Sequence, residues 1–335
     1  MSVKYPAFAA RLNSFKTRPD VLRRDGAAQL TIADQLERAA SVEGLTQVDL
    51  NFPDHLQNAG PEQMSALLNR YGLTLNGLAM RYYADEAFAQ GAFTNPNPAV
   101  RQKAIDLTKQ GIDALVAMGG DLMTIWLGQD GFDYPFHVDY AEIWELELAG
   151  VREVVAYNPA VRISIEYKPN EPRAFSLLAD LGTTLLALRD INAPNLGVTL
   201  DFAHVIYADE MPAASAGLIQ RYSQLFGVHL NDGYGKRDDG LMVASVHILQ
   251  TLELLYVLQQ TGYNQVIYFD TFPEASGLDP VRECTANIRS VRRLLALLDQ
   301  INLDEMRTIL HQQDVIRAHE MVHDVLFPAI RQTEI

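Results

Sequence analysis

Short apolar segments of strand length alternate with longer amphipathic segments along almost the whole chain. In the longer segments apolar residues recur every three or four positions, which is typical of helices that bury one face. Strands that alternate with helices predict a parallel sheet. The predicted strands are 45–51, 74–80, 121–127, 162–167, 196–201, 226–231 and 265–270, with a weakly marked eighth strand in 8–15. The predicted helices include 31–42, 98–118, 139–157, 173–190 and 245–261.

Two architectures fit this alternation, namely an open doubly wound sheet and a closed eight-stranded barrel. A dinucleotide-binding open sheet would carry G-x-G-x-x-G after an early strand, and the chain has no such motif. Polar residues end several different strands, which is how barrels build their sites. The sequence therefore predicts an α/β fold, a TIM (β/α)8 barrel over residues 1–300. A helical extension follows over 301–335, where 301–328 has helical periodicity; it would pack on a neighbouring subunit of a homo-oligomer, a dimer or tetramer.

Composition limits the partners and the location of the protein. The formal net charge of −15 opposes binding to phosphate backbones, so nucleic acid is not expected as a partner. The single cysteine, Cys284, excludes an internal disulfide framework. The first residues lack an apolar run of signal-peptide length, and no apolar run is long enough to span a membrane. We therefore expect a soluble cytoplasmic protein without a membrane partner.

Four predicted strand ends carry residues that bind metals. Glu166, Asp201, His229 and Asp270 lie at or near the ends of four successive strands. In a barrel these ends are neighbours, and three converging carboxylates would repel each other unless a cation lay between them. Oxygen ligands with one imidazole suit Mn²⁺, Mg²⁺, Co²⁺ or Zn²⁺. The alternative for each residue taken alone is an aspartate that caps a helix, or a histidine buried in the core.

Further polar residues follow the same strands. Lys168 lies two positions after Glu166, on the same face of the strand, and Pro169 ends that strand. A surface ion pair is the alternative for these two residues. His204 would face the site, and could hold a second ion, only if a turn begins directly after Asp201. Asp238 and Asp239 lie in a glycine-rich loop that could fold back toward the ion, with solvated turn aspartates as the alternative.

The segments EYKPNEP (166–172), DFAH (201–204), HLND (229–232) and DDG (238–240), in this order and at these intervals, resemble the xylose isomerase-like barrels. Bacterial L-rhamnose isomerases of the non-enteric type look most similar, and 93–106 and 123–136 extend the likeness. The resemblance implies a first metal bound by Glu166, Asp201, His229 and Asp270. It implies a second, catalytic ion bound by His229, His204 and Asp238 or Asp239. The implied substrate contacts are Lys168 at the carbonyl oxygen, Trp126 as a pocket wall and His55 in ring opening.

The activity that this resemblance implies is aldose–ketose isomerisation by a metal-assisted 1,2-hydride shift, with one or two divalent ions, Mn²⁺ first among them. The chain has no glycine-rich phosphate loop, so an unphosphorylated sugar is expected. The alternative is a ketose 3-epimerase, which uses two glutamates as bases. Asp270 is one methylene shorter than the second of these, and Lys168 adds a positive partner, so both favour the isomerase. Two other readings are a phosphodiesterase of the AP-endonuclease type, which the acidic charge opposes, and a sugar-binding barrel without turnover.

Overall fold

The computed structural model describes residues 6–17 and 30–327 of the chain. Contacts within the chain divide it into two compact units, which are residues 6–288 and residues 289–327 of the described part. The last residues of the predicted extension, 328–335, lie outside the described residues.

The unit of residues 6–288 is built around a closed barrel of parallel strands. Ten strands occur among the described residues, and two of them, β5 (Gly131–Phe132) and β7 (Phe175–Ser176), pair antiparallel with each other outside the barrel. The other eight close the barrel in the order β1-β10-β9-β8-β6-β4-β3-β2. They are β1 (Phe8–Arg11), β2 (Gln47–Phe52), β3 (Thr74–Met80), β4 (Leu122–Ile125), β6 (Arg162–Glu166), β8 (Leu196–Asp201), β9 (Leu225–Leu230) and β10 (Ile267–Phe269). The predicted TIM barrel is confirmed.

Helices connect the strands and extend beyond the last of them. In this unit they are α1 (Ile32–Ala40), α2 (Pro61–Arg70), α3 (Pro98–Ala117), α4 (Tyr140–Tyr157), α5 (Leu181–Ile191), α6 (Phe202–Tyr207), α7 (Pro212–Tyr222), α8 (Ile248–Gln260) and α9 (Pro273–Ser276). Helix α10 (Pro280–Leu298) runs from this unit into the next. Among the described helices, none combines the length and the apolar character that crossing a membrane requires.

The unit of residues 289–327 contains the end of α10 followed by α11 (Leu303–Gln312) and α12 (Val315–Leu326). The stretch 301–328, for which helical periodicity was predicted, is interrupted between α11 and α12. Gln313 has φ of 55° and ends α11 in the left-handed conformation. Asp314 then caps α12 by accepting a hydrogen bond from the backbone N–H of Arg317 at 3.1 Å. Periodicity alone does not reveal such a break, because the apolar spacing resumes after it.

Two of the strand predictions match the structure at both ends. Strands β3 and β8 have the predicted bounds, 74–80 and 196–201. The weak first strand ends early, because residues after Arg11 turn into a short 3-10 helix. The predicted helix 173–190 is wrong at its start: Phe175 and Ser176 lie in β7, and α5 begins only at Leu181. Asp180 sets that start by accepting a hydrogen bond from the backbone N–H of Thr183 at 2.7 Å.

Polar residues alternate with apolar residues along the barrel strands and point into the barrel. On β6, Ser164 and Glu166 share one face, and Ser164 Oγ lies 2.6 Å from Thr199 Oγ1 on the neighbouring strand β8. Ile163 and Ile165 point the other way and are buried. The barrel interior is thus partly polar, and its polar faces lead toward the ends of β6 and β8. That arrangement delivers Glu166 and Asp201 to the same end of the barrel.

Glu147 has a buried carboxyl group outside the barrel interior. Glu147 on α4 is 1% exposed, and neither carboxyl oxygen has a hydrogen-bond partner in the structure. Burial, together with the nearby carboxylate of Asp130, raises the pKa of Glu147 well above its usual value. Asp130 differs in being hydrogen-bonded, since it accepts from the backbone N–H groups of Ala92 and Thr94. Burial therefore favours the neutral form of Glu147 in the folded protein.

This raised pKa predicts a pH-dependent effect of Glu147→Gln. The folded chain keeps a proton that the unfolded chain releases above about pH 4.3, so the contribution of Glu147 to stability falls as pH rises above that value. We expect Glu147→Gln to raise the thermal midpoint relative to the native protein more at pH 8 than at pH 5. Glu145→Gln, on the exposed face of the same helix, is the matched control. An equal effect of Glu147→Gln at both pH values would contradict this assignment.

Candidate active site

A cavity of about 360 Å³ opens at the carboxyl ends of the barrel strands. Its wall combines acidic, basic, imidazole and aromatic side chains. They include Arg11, Asp49, Arg81, Tyr83, Trp126, Glu166, Lys168, His204, His229, Asp238, Tyr268 and Asp270. In a TIM barrel this is the end at which catalytic sites lie.

Three of these side chains, Glu166, His229 and Asp270, form together with Asp201 the cluster predicted from the strand ends. Glu166, Asp201, His229 and Asp270 each offer one ligand atom, and these atoms all lie within 4.8 Å of one another. Their strands, β6, β8, β9 and β10, are consecutive neighbours in the barrel. Asp201 pairs directly with His229 in the parallel register of β8 and β9. The convergence thus follows from strand order.

Asn231 holds two members of the cluster in position. Its side-chain amide donates to both carboxylate oxygens of Asp201, at 3.1 and 3.0 Å, and to the backbone carbonyl of Asp270 at 3.1 Å. Its own side-chain oxygen accepts from the backbone N–H of Ala203 at 2.8 Å. One side chain therefore ties the ends of β8, β9 and β10 together and fixes the Asp201 carboxylate.

The side chains of the cluster have strongly shifted pKa values. Burial alone would raise the pKa of Glu166, but the nearby His229 outweighs it and lowers that pKa to about 2. Burial would lower the pKa of His229, and the carboxylates, Glu166 first, raise it to about 9. Burial raises the pKa of Asp201 to about 7 and also raises that of Asp270. Without a cation, therefore, the repulsion is relieved by protons on the imidazole and on part of the carboxyl groups.

The residues fit a divalent cation. His229 Nδ1 and Asp270 Oδ1 are both buried and have no hydrogen-bond partner in the structure. A bound ion would satisfy buried polar atoms that have no hydrogen-bond partner. Three carboxylates and one imidazole form a donor set suited to Mn²⁺ and similar ions.

Lys168, His204 and Asp238 form a second group beside the cluster. Asp238 Oδ2 lies 3.1 Å from Lys168 Nζ and 3.1 Å from His204 Nε2. His204 Nδ1 lies 3.6 Å from Glu166 Oε1, so the two groups adjoin. Helix α6 begins at Phe202, with Asp201 as its cap, and this is the turn required for His204 to face the site. Asp238 Oδ1 is buried and has no hydrogen-bond partner, which leaves it free for a second ion or a substrate group.

The charges in this second group stabilise one another. Burial alone would raise the pKa of Asp238, but His204 and then Lys168 hold it well below its usual range. Burial would lower the pKa of His204, and the carboxylates of Asp201 and Asp238 raise it to about 10. Lys168 has its pKa raised in the same way, by Asp238 and Glu171 against the effect of burial. The group therefore keeps a charged ammonium at the cavity wall.

Aromatic rings complete one wall, as expected for Trp126. Lys168 Nζ lies 5.1 Å from the centroid of the Trp126 ring, and the Tyr83 ring contacts Trp126 edge-on with centroids 5.6 Å apart. Such rings present flat apolar faces to the C–H groups of a sugar.

Two of the predicted site residues are not brought to the cavity. Asp239 Oδ1 pairs with Arg237 at 2.8 Å, and its Oδ2 accepts from the backbone N–H of Tyr234 at 2.9 Å. His55 Nδ1 accepts from the backbone N–H of Asn51 at 3.0 Å, and its Nε2 lies 2.9 Å from Asn13 Oδ1. Both side chains satisfy neighbouring chain segments instead of lining the cavity.

Asp232, which lies outside the cavity, joins the two ends of the loop that carries Asp238. Asp232 pairs with Leu241 through two backbone hydrogen bonds. Its fully buried carboxylate accepts from the backbone N–H groups of Val246 and His247 at 2.8 and 2.9 Å, and lies 2.8 Å from His247 Nδ1. Asp232 thus joins the two ends of the loop through its backbone and binds the segment that follows the loop through its carboxylate.

Several cavity residues were not predicted from the sequence, among them Arg11, Asp49 and Arg81. Asp49 is buried inside the barrel, where Asn76 donates to its carboxylate at 2.6 Å and burial raises its pKa to about 7. A signal was present, because Asp49 and Asn51 alternate with apolar residues in the strand VDLN.

The chain belongs to the family of xylose isomerase-like TIM barrels, which it matches over residues 36–298. It is 26% identical to a xylose isomerase of Thermus thermophilus over 209 residues, or 61% of this chain and 54% of that protein. It is 28% identical to a probable sugar isomerase of Rhizobium meliloti over 264 residues, or 74% of this chain and 57% of that protein. The chain thus spans little more than half the length of these relatives.

A comparison of folds agrees with the family. A solved structure described as a D-tagatose 3-epimerase-like protein matches with a TM-score of 0.68, covering 88% of this chain and 98% of that chain at 17% identity. At this identity the match shows the fold alone. The family resemblance drawn from the sequence is therefore confirmed, and the likeness to L-rhamnose isomerases stays a prediction.

The two carboxylates Glu166 and Asp239 provide a direct test of the metal cluster. We expect Glu166→Gln to weaken Mn²⁺ binding by at least about tenfold, because even residues that only orient metal ligands contribute that much. Asp239→Asn removes the same charge outside the cluster and should leave the affinity unchanged. Titration calorimetry on chelator-stripped protein measures both. Equal losses in the two variants would mean that general charge, and not the cluster, governs binding.

Proposed function

We propose that the protein is a metal-dependent sugar isomerase that interconverts an unphosphorylated aldose and its ketose by a 1,2-hydride shift. The observation that carries this proposal is Lys168, a buried ammonium beside the four-residue cluster and on the wall of the same cavity. Relatives of the chain named xylose isomerase and probable sugar isomerase support the same reaction class. The specific likeness to L-rhamnose isomerases is part of the proposal.

Glu166, Asp201, His229 and Asp270 would hold one divalent ion, for which we propose Mn²⁺, with Co²⁺, Mg²⁺ or Zn²⁺ as alternatives. His204 and Asp238, with His229, would hold a second. Bound there, such ions supply Lewis-acid polarisation of adjacent sugar oxygens. The protein contributes the fixed ligand positions, which the order of strands β6, β8, β9 and β10 sets.

Lys168 would donate a hydrogen bond to the substrate carbonyl oxygen. Negative charge develops on that oxygen as the hydride moves, and a fixed ammonium in a buried site stabilises it. Asp238 and Glu171, at 3.1 and 2.9 Å, hold Lys168 charged and in place. Trp126 would pack against the C–H face of the sugar. Where it holds no second ion, Asp238 Oδ1 would accept the hydrogen bond of the neighbouring substrate hydroxyl, since among the described residues it has no hydrogen-bond partner.

The hydrogen balance of this reaction defines its test. In the aldose-to-ketose direction the hydride leaves C2 for C1, while one proton passes from the C2 hydroxyl to the C1 oxygen. The carbon-bound hydrogen never reaches solvent. A base that removed it as a proton would exchange it with water.

Ketose 3-epimerisation is the alternative, and one observation favours it. Glu166 and Asp270 both line the cavity, so two carboxyl groups are available as proton-transfer bases. Against it, Asp270 Oδ1 lies 3.7 Å from the guanidinium of Arg11, and its side chain is shorter than glutamate. We therefore place it second. We also propose, from the sequence alone, a cytoplasmic location and a homo-oligomer of two or four chains.

Reaction in D₂O separates these possibilities. Protein stripped with chelator and reloaded with Mn²⁺ should convert an aldose to its ketose with little carbon-bound deuterium by NMR. Lys168→Met should lower kcat by about 100-fold to 1,000-fold, the cost of removing one donor to a developing oxyanion, while Mn²⁺ affinity stays unchanged. Conversion between two ketoses with deuterium at C3 would establish the epimerase instead. An absence of metal-dependent conversion across aldoses, ketoses and their acidic derivatives would refute both.

A further inference from the structure

Arg81 lies at the end of β3 and lines the cavity, yet no role in the reaction accounts for it. Its Nε is buried and has no hydrogen-bond partner in the structure. Its guanidinium lies 5.4 Å from the centroid of the Tyr83 ring. Its backbone N–H donates to Phe52 O at 2.9 Å, which fixes where the side chain begins.

The other basic side chains of the cavity wall already have partners. Arg11 pairs with Glu274 at 2.7 Å and approaches Asp270 at 3.7 Å. Lys168 pairs with Glu171 and Asp238. Among the described residues, Arg81 has no carboxylate at ion-pair distance. Arg81 does act on Glu166, whose pKa it helps to lower, but the two do not pair. A partly buried guanidinium without an ion-pair partner is costly, and its terminal N–H groups remain available to a ligand.

Arg81 and Lys168 lie at opposite ends of one aromatic wall. Arg81 contacts Tyr83, the Tyr83 ring contacts Trp126, and Lys168 Nζ lies over the Trp126 ring. A sugar that packs along this wall with its carbonyl at Lys168 would direct its far end toward Arg81. The far end of the substrate is therefore the group that Arg81 would bind.

We propose that the substrate is an acidic sugar of the uronate class, whose terminal carboxylate is bound by Arg81. This inference rests on the proposed function of the same cavity and specifies its substrate. The guanidinium fork matches a carboxylate in a bidentate geometry. A divalent cation in the cluster would add positive charge to the cavity and further favour an anionic ligand.

A terminal phosphate is the other source of such an anion. Phosphate sites in proteins draw on several donors, commonly the N–H groups at a helix N-terminus. Residues Tyr82–Ala84, which follow Arg81, form only a short 3-10 turn. Arg81 is also the one basic group of the cavity wall, among the described residues, that lacks an acidic partner. A single guanidinium suits the smaller carboxylate better.

The experiment compares two ligands that differ only at one end. D-Gluconate and D-glucitol share a carbon chain and differ by a carboxylate against a hydroxymethyl group. Their binding to the Mn²⁺-loaded full chain is measured by calorimetry for the native protein, Arg81→Gln and Arg81→Lys. We expect the native protein to prefer gluconate by about 10- to 100-fold, as hydrogen bonds to a charged group contribute. Arg81→Gln should remove most of the preference, leaving only what the cation contributes, and Arg81→Lys should keep a larger part of it.

Kinetics with D-glucuronate, D-glucose and D-glucose 6-phosphate complete the test. Arg81→Gln should lower kcat/KM for glucuronate without changing Mn²⁺ affinity. No gluconate preference in the native protein, or equal weakening of both ligands by Arg81→Gln, would overturn the inference and leave the isomerase proposal standing. A gluconate preference without turnover of any sugar would refute the proposed function and keep the anion site. Preference for the phosphorylated sugar over glucuronate would overturn the carboxylate assignment.

Discussion

Repulsion among three clustered carboxylates is the interaction on which the rest of this site depends. Glu166, Asp201 and Asp270 lie within one small cluster because their strands are neighbours in a closed barrel, and the barrel cannot move them apart. The imidazoles of His204 and His229 and the guanidinium of Arg11 offset part of that repulsion. A divalent cation would offset it more directly, because it replaces protons with a charge placed at the centre of the ligands.

The residues around the cluster form ion pairs and hydrogen bonds that offset this repulsion. Asp238 is buried, and it tolerates burial because Lys168 and His204 both reach its Oδ2. Asn231 neutralises no charge but donates to both oxygens of Asp201, which holds that carboxylate against its neighbours. These contacts keep the cavity wall rigid. A substrate oxygen would therefore meet donors whose positions are already set, which is the condition for electrostatic stabilisation of a developing charge.

The barrel and the four-residue cluster could be predicted because regular strands determine both. Side chains at successive parallel strand ends meet at one edge, so Glu166, Asp201, His229 and Asp270 needed only the strand bounds and the barrel topology. The loop residues could not be predicted in the same way. Asp238 meets Lys168 and His204 at the cavity, whereas Asp239 binds Tyr234 and Arg237 within the loop, and such contacts leave no periodic signal in the sequence. The position of Arg81 in the cavity could not be predicted, because an isolated arginine after a strand has no periodic signal.

Asp270 connects the cluster to the choice of reaction. A base that removes a proton from carbon must reach the substrate and remain free of tight pairing, and a longer side chain serves that purpose better. Asp270 is short, its backbone carbonyl is held by Asn231, and Arg11 approaches its carboxylate. These contacts suit a side chain that binds the cation and does not reach out to the substrate. Lys168, which Asp238 and Glu171 hold at the cavity wall, is placed to act on substrate oxygens, and an ammonium donates a hydrogen bond but does not abstract a proton from carbon. A hydride shift needs no carbon base, so the distribution of constraint within the cavity favours isomerisation.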